Sequence, residues 1–426
     1  MSESVWAADL VAVDGPDQPL PADADTVIIG AGYTGLNAAR ELARAGQRVV
    51  VVDKEAIGTG ASGINFGSVA LGLAASPSAL AARHGEAFAR RAALLSQTVL
   101  AEFCALIERE AIDCELHRSG HITVALNRGQ MARLASTKAG WDRFAEHRIV
   151  LLSKDEALQS LDAPRVRGGL LNPDSYTIHP AKYLAGLVRA AVRAGVTIIQ
   201  RTAVSEVRRA GTERFETLCG TAAIRSKHVV VCTDGVRLPG FKPSRRGIVP
   251  IHSYMIATEP LSGEQSRAIS RHAFATGHAV PDYFRRTPDD RLLFGSRKNL
   301  EKPSPSGDEA ALVARMHEVL PFTKGLRVTH SWNGPLGLTA DRLPHVGIAD
   351  GIHYALGYCG KGIPWSAHCG LATADLVRGV RTPDPVIAMP VPQPRLGRGS
   401  AWFLKPLSWY YRTRDAWAEL TTRGEA

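Results

Sequence analysis

Three glycines and one acid carry the first chemistry legible in this chain: Gly30, Gly32 and Gly35, followed by Asp53. Gly30 suits the tight turn from a strand into a helix. Gly32 lets the backbone approach a pyrophosphate, and Gly35 lets helix and strand pack closely. The helix N-terminus offers unpaired N–H groups and a positive dipole end to phosphates. Asp53 ends the second apolar run, where a carboxylate accepts from a ribose hydroxyl. The unit reads as a dinucleotide site and leaves FAD and NAD(P) both open. A second loop, Gly58 to Ser68, is built of small residues that cannot fill a core and follows the acid-tipped strand, as the wall of a ligand site would. Polar residues on later antiparallel runs (His252, Tyr254, Tyr283, Arg285, Arg286 and Arg297) are suited to holding a substrate, Arg gripping a carboxylate or phosphonate bidentately. Strand alternation puts Tyr283 and Arg285 on one face and Arg286 on the other.

These groups need elements to place them. Val27–Ile29 and Val49–Val52 read as buried strands around an Ala/Leu-rich helix. Long helices are expected over about 79–110 and strands over 121–126, 196–199, 204–208 and 228–232, the last a nearly pure apolar run suited to a central parallel strand. A short helix is expected over 154–161 and an amphipathic one over 181–194. From Ile248 antiparallel strands are expected over 253–258, 282–287, 291–297 and 327–332, with a helix capped by Asp308 between the last two. A strand at 353–356 leads through Gly357-Tyr-Cys-Gly-Lys-Gly-Ile363 to a helix over 368–377. His179 reads as a helix-start contact, Trp332 as core, and Cys359 as a small buried residue in a tight turn. The fold class is α/β plus antiparallel β. Parallel material recurring at the start, middle and end predicts a discontinuous Rossmann-like dinucleotide domain of the glutathione-reductase type, over 25–84, 150–240 and 326–385. A mixed-sheet substrate domain is inserted over 85–149 and 241–325, between an N-terminal arm (1–24) and a basic, aromatic tail (386–426).

The 426 residues are 45% hydrophobic and 22% charged, ordinary globular values, and no apolar run reaches the length of a spanning helix. The acidic, Pro-rich start lacks a signal peptide's pattern and reads as a loosely ordered arm. Six scattered cysteines with no CxxC argue against zinc and disulfides, so no metal is expected and a reducing cytoplasm is. The net charge of +10 is spread along the chain without a nucleic-acid footprint, and it favours an anionic or zwitterionic substrate. In the tail, Trp402, Phe403, Trp409, Tyr410 and Tyr411 with Lys405, Arg412 and Arg414 read first as a cap on the substrate domain and second as a membrane contact.

Four stretches in order, GAGYTGLNAARELA…VVVVD, GTGASGINFGSV, WNGPLGLTADRLPHVG and GYCGKGI…GLATADLVRG, resemble the FAD-dependent D-amino-acid oxidase superfamily, in the bacterial branch of γ-glutamylputrescine oxidoreductase-like and glycine/sarcosine oxidase-like proteins. The resemblance runs from about Asp25 to Gly379 and extends to the tail. It implies FAD held by Gly30, Gly32, Tyr33, Thr34, Gly35, Asp53 and Lys54, with Ala61, Ser62, Asn65, Gly67 and Ser68 beside the ring and pyrophosphate. It places Val204 by the adenine, Thr233 by the pyrophosphate, and Gly357, Gly360, Lys361, Gly362 and Ile363 at a helix start facing the flavin N1/O2 edge. The family reaction it implies is hydride removal from a carbon bearing a neutral amine, giving an imine that hydrolyses, with oxygen or another electron acceptor. Lys361, Tyr254, Tyr283, Arg285 and His252 are the residues expected to act on the substrate, a small amine or amino acid. Two departures stand out: Ile64-Asn65-Phe66-Gly67 replaces the family's Arg-Asn-Gly-Gly, and Lys361 replaces a histidine. Leu336 and Gly337 stand where some relatives carry a flavin-linking cysteine, so the FAD is expected to be non-covalent. An NAD(P)-linked enzyme using the first motif alone and a catalytically silent flavin-bearing subunit are the competing readings.

Overall fold

The computed structural model describes residues 3–10, 19–297 and 308–393. Strands Thr26–Ile29 and Val49–Val52 are fully buried and pair in parallel, as β-branched runs covered on both faces do. They lie inside a six-stranded sheet ordered 345–349, 352–356, 228–231, 26–29, 49–52, 197–199, in which only the first strand runs antiparallel to its neighbour. Alternation gives each strand two apolar faces. Ile28, Val51 and Val230 pack with Leu36 and Leu184, on the side of helices Tyr33–Arg44, Pro180–Arg193 and Gly362–Arg378. Ile29, Val229 and Val231 pack with Phe215 from an antiparallel layer of strands Val204–Ala210, Arg214–Cys219 and Ala222–Ser226.

A second, eight-stranded sheet is ordered 328–338, 249–260, 291–296, 282–286, 273–276, 121–125, 168–172, 150–152. It is mixed, since 273–276 runs parallel to 121–125 while its other pairs are antiparallel. One face buries Phe274, Phe284 and Phe294, stacked at 5.3 and 6.0 Å, beneath helix Asp308–Val319. The other face carries Met255, Tyr283 and Trp332 toward the glycine-rich loops.

Strand membership redraws the expected boundaries. Strands 150–152, 168–172 and 328–338 belong to the second sheet, because their ladders run there. Helix Glu86–Arg109 goes instead with the nucleotide half: Ala92, Phe103 and Leu106 share a core with Leu36 and Trp365. The N-terminal arm is anchored over residues 3–10, with a short helix Ala7–Leu10 and Trp6 only 4% exposed. Helix Arg128–Phe144 and strands Ala273–Thr276, Arg214–Cys219, Ala222–Ser226 and His345–Ala349 were not expected. The aromatic tail residues 402–414 and the side chain of Asp308 lie outside the described residues. Among the described residues no helix is long and apolar enough to cross a membrane, and all six cysteines are free.

A buried ionic cluster joins the first long helix to helix Glu86–Arg109. Glu110, its side chain 2% exposed, accepts from Arg44 at 2.7 and 2.8 Å, and the fully buried Arg40 lies 3.7 Å away. Burial alone would raise the Glu110 carboxyl, but Arg44 and Arg40 outweigh it and hold it below its usual value. A depressed folded-state value means stability present above the unfolded pKa and lost as pH falls through the folded one. Glu110→Gln is therefore expected to cost ~1.5–3 kcal/mol at pH 7. The loss of thermal stability between about pH 5 and pH 3 should be shallower in the variant. Melting curves matching the wild type at both pH values would contradict this.

Candidate cofactor and active site

The glycine turn is set by backbone crowding. Gly30 has φ +109, and a β-carbon there would sit 2.7 Å from the Cys232 carbonyl oxygen. One at Gly35 would sit 2.0 Å from the Gly30 carbonyl oxygen, so helix Tyr33–Arg44 can start this close to its strand only with glycine at both positions. Gly32 caps that helix without a side-chain bond. The Tyr33 amide donates to Ser62 Oγ at 3.1 Å, and the Thr34 and Gly35 amides fall in the first turn, where no intrahelical acceptor exists. Asp53 receives the Ala31 amide at 2.8 Å and the Glu55 amide at 3.1 Å, which fixes its carboxylate beside the turn, and burial raises its pKa. Thr233, at the end of the neighbouring central strand, has a buried hydroxyl without a partner among the described residues. Val204 opens the antiparallel layer and packs beside the core of Ile29 and Val231. Open amides, an oriented acid and an orphan hydroxyl around one glycine turn fit a dinucleotide. Lys54 does not join them: half-exposed, it faces Glu55 at 3.5 Å.

The second glycine-rich loop is held mainly through its carbonyls. Trp332 donates to Ile64 O at 2.9 Å, Trp6 to Asn65 O at 3.0 Å, and Arg285 to Phe66 O at 2.9 Å. Asn65 braces the loop from inside, donating to the Tyr33 hydroxyl and to Ala61 O and Ser62 O, and accepting from the Gly67 amide at 2.9 Å. Ser68 then opens a two-residue strand paired with Thr177. Arg285 also donates to Ile178 O at 3.1 Å, so it positions this loop, and burial lowers its pKa to about 10.

The helix start at 357–363 is tied to the rest by Asp234. Its carboxylate accepts the amides of Gly337 and Gly357, both at 2.9 Å, and of Tyr358 at 3.4 Å. The Tyr358 hydroxyl meets Thr34 Oγ1 at 2.7 Å, which joins the glycine turn and the helix start directly. Cys359 turns the chain at φ +53 with its thiol 3.3 Å from Thr339, the buried turn residue expected. Lys361 caps helix Gly362–Arg378, and Ile363 is buried in its first turn. Burial, with a smaller contribution from Arg297, lowers Lys361 to about 8. A β-carbon at Gly360 would meet Arg297 Nη2 at 2.3 Å, so Arg297 leans on this loop.

Alternation sorts the substrate candidates. Tyr283 and Arg285 share the inner face and Arg286 the outer, as expected, with Arg286 bonded to Ser266 O and paired with Asp290 at 3.0 Å. Tyr283 touches Ser253 Oγ through its hydroxyl, and Arg297 lies 5.8 Å from its ring center. Tyr254 and His252 are corrected. Tyr254 packs on the outer face with Ile256, Phe284 and Phe294, because Ser253 and Met255 occupy the inner positions of that strand. His252, two residues away, shares the outer side and faces Asn333 at 3.1 Å. His179 caps helix Pro180–Arg193 and pairs with Asp9 at 3.1 Å, the helix-start role expected. Asp234, Tyr358 and Trp6 were missed. Asp234 carried a signal, an acid directly after the central strand His228–Val231 and its Cys-Thr extension.

Asp234→Asn would keep one acceptor oxygen and set an NH2 donor against the amide of either Gly337 or Gly357. The variant is expected to lose at least about tenfold in dinucleotide affinity, roughly one charge-assisted bond. Titration of the apoprotein measures this, and unchanged affinity would contradict the role given to Asp234.

The family model described as DAO, FAD dependent oxidoreductase, matches residues 25–376. A probable oxidoreductase OrdL of Haemophilus influenzae is 31% identical over 366 residues, covering 84% of this chain and 83% of that protein. The γ-glutamylputrescine oxidoreductase of Escherichia coli is 29% identical, covering 83% and 84%. A crystal structure of glycine oxidase from Geobacillus kaustophilus superposes with a TM-score of 0.75 at 22% identity, over 88% of this chain and 99% of that one, a likeness of fold. The chain belongs to the DAO family of FAD-dependent oxidoreductases.

Proposed function

We propose that this enzyme oxidises the C–N bond of a small amine or amino acid, using non-covalent FAD. The observation that carries the reading is the joining of three surfaces at one place: the helix start at 357–363, the loop 61–68, and the inner sheet face bearing Tyr283. Bound FAD supplies the hydride acceptor and passes two electrons to oxygen or another acceptor. The amine must be neutral to release hydride from its carbon, and the resulting imine takes up water and separates into carbonyl compound and amine. No dedicated acid or base is demanded, so the residues here orient and exclude water. Tyr283, held by Ser253, is linked to the helix start through Arg297, which flanks its ring and lies against Gly360. The N-terminal dipole of helix Gly362–Arg378 and the Lys361 charge favor negative charge developing beside them. Relatives named for γ-glutamylputrescine and for glycine support an amine substrate.

Leu336 and Gly337, at the expected linkage position, offer no thiol to the flavin. Acid precipitation is expected to release the flavin into the supernatant, and flavin remaining with the pellet would contradict non-covalent binding. Anaerobic mixing of the holoenzyme with polyamines, N-methyl amino acids, D-amino acids and aminophosphonates is expected to bleach the flavin with at least one member. No bleaching across the panel would favor the silent-subunit reading, for which the altered residues Ile64, Phe66 and Lys361 speak.

A further inference from the structure

The first residues of the chain grip the nucleotide half at three points. Trp6, Asp9 and Leu10 are spaced three and four residues apart, so the single turn of helix Ala7–Leu10 presents them together. Trp6, 4% exposed, donates from Nε1 to Asn65 O at 3.0 Å. Asp9 faces His179 Nε2 at 3.1 Å. Leu10 rests on the second glycine-rich loop, since a β-carbon at Gly58 would come 2.3 Å from Leu10 Cδ2. His179 Nδ1 accepts the Lys182 amide at 3.3 Å, so the ring proton sits on Nε2 and is donated to Asp9 without a charge on the imidazole.

Each grip reaches a group that also holds the glycine turn. Asn65, whose carbonyl Trp6 takes, donates through its side chain to the Tyr33 hydroxyl at 3.1 Å. That hydroxyl donates to Pro180 O at 3.0 Å, one residue beyond His179. One residue before His179, the Ile178 amide donates to Gly67 O at 2.8 Å. Residues 6–10 therefore close a ring of bonds through the loop 58–67, the segment 178–180 and Tyr33, which opens the helix of the glycine turn. A four-residue helix does not persist in water by itself. Its docking is set by these contacts, and whatever loosens the loop loosens the helix.

We propose that residues 4–10 are a clasp for FAD, in which Trp6 and Asp9 are positioning residues that hold the loop 58–67 and the segment 178–180 in the shape that retains the cofactor. The proposal concerns retention of the cofactor, whatever the substrate, and rests on the placement of the loop 61–68 against the flavin. Coupling of this kind is reciprocal: docked residues that slow the loss of FAD must themselves be held in place by FAD. A segment that only stabilizes the fold has no such preference.

The test follows FAD release from the diluted holoenzyme by flavin fluorescence, with amide hydrogen exchange and melting of the apo and FAD-loaded forms. Trp6→Ala should release FAD about tenfold faster or more, within the usual range of coupling between sites. Trp6→Phe, which keeps a ring and loses the N–H donor, should release it several-fold faster. Asp9→Ala should do the same, and Asp9→Asn, which keeps an acceptor for His179, should stay near the wild-type rate. In the wild type, FAD should slow exchange both in residues 4–10 and in the loop 61–68. Loading with FAD should raise the melting temperature less in Trp6→Ala than in the wild type. Wild-type release rates in Trp6→Ala and Asp9→Ala, or a drop in melting temperature in Trp6→Ala that is the same with and without FAD, would overturn the proposal. If Trp6→Ala does not fold, Trp6→Phe decides, and a wild-type release rate there overturns it. Exchange slowed by FAD in the loop but not in residues 4–10 counts against the clasp alone, and no slowing in the loop counts against its placement at the flavin.

Discussion

Asp234 holds three distant parts of the chain with one carboxylate. It stands just beyond the central strand His228–Val231, and it accepts amides from the end of strand Val328–Leu338 and from the turn at Gly357 and Tyr358. Burial raises its pKa, and the backbone amides pointed at it oppose that rise. The bonds matter because the two sheets meet here: one amide comes from the second sheet and two from the helix start of the first. Tyr358 then reaches Thr34, so the glycine turn and the helix start are fixed relative to each other through one hydroxyl pair.

The loop 61–68 depends on the same logic of satisfied backbone. A loop rich in small residues has few side chains with which to hold itself, so its carbonyls are taken from outside by Trp332, Trp6 and Arg285. Arg285 is the costly member, a buried cation bonded to carbonyls and stacked at 5.6 Å on both Trp6 and Phe66. Trp6 in turn anchors residues 3–10 and closes the outside of the loop 61–68. Phe66 in turn packs edge-on against Tyr283 at 5.0 Å.

The parallel strands were legible because Val27–Ile29, Val49–Val52 and His228–Val231 are apolar on both faces and flanked by turn residues. Helix Arg128–Phe144 was not, since it buries few residues and these include Gln130 and Gly140, so its apolar stripe is broken. The domain boundaries failed for a related reason. Strands such as Val150–Leu152 are too short to announce which sheet they join, and that choice is made by hydrogen bonds to residues far along the chain. In the site, alternation correctly grouped Tyr283 with Arg285 against Arg286. It could not say which face of strand Val249–Pro260 looks inward, and the candidates Tyr254 and His252 lie on the outer one. The glycine spacing carried the cofactor motifs because its cause is local, a backbone crossing with no room for a β-carbon.

Separated pieces of this chain are proposed to close around one FAD, with the inner sheet face as the substrate wall. A crystal structure of the FAD-loaded enzyme tests it most directly. The pyrophosphate is expected on the Thr34 and Gly35 amides and the Thr233 hydroxyl, Asp53 on the ribose, and the flavin ring between the helix start at 357–363 and the face bearing Tyr283. A dinucleotide bound away from the glycine turn, or a flavin ring turned away from Tyr283, would contradict it.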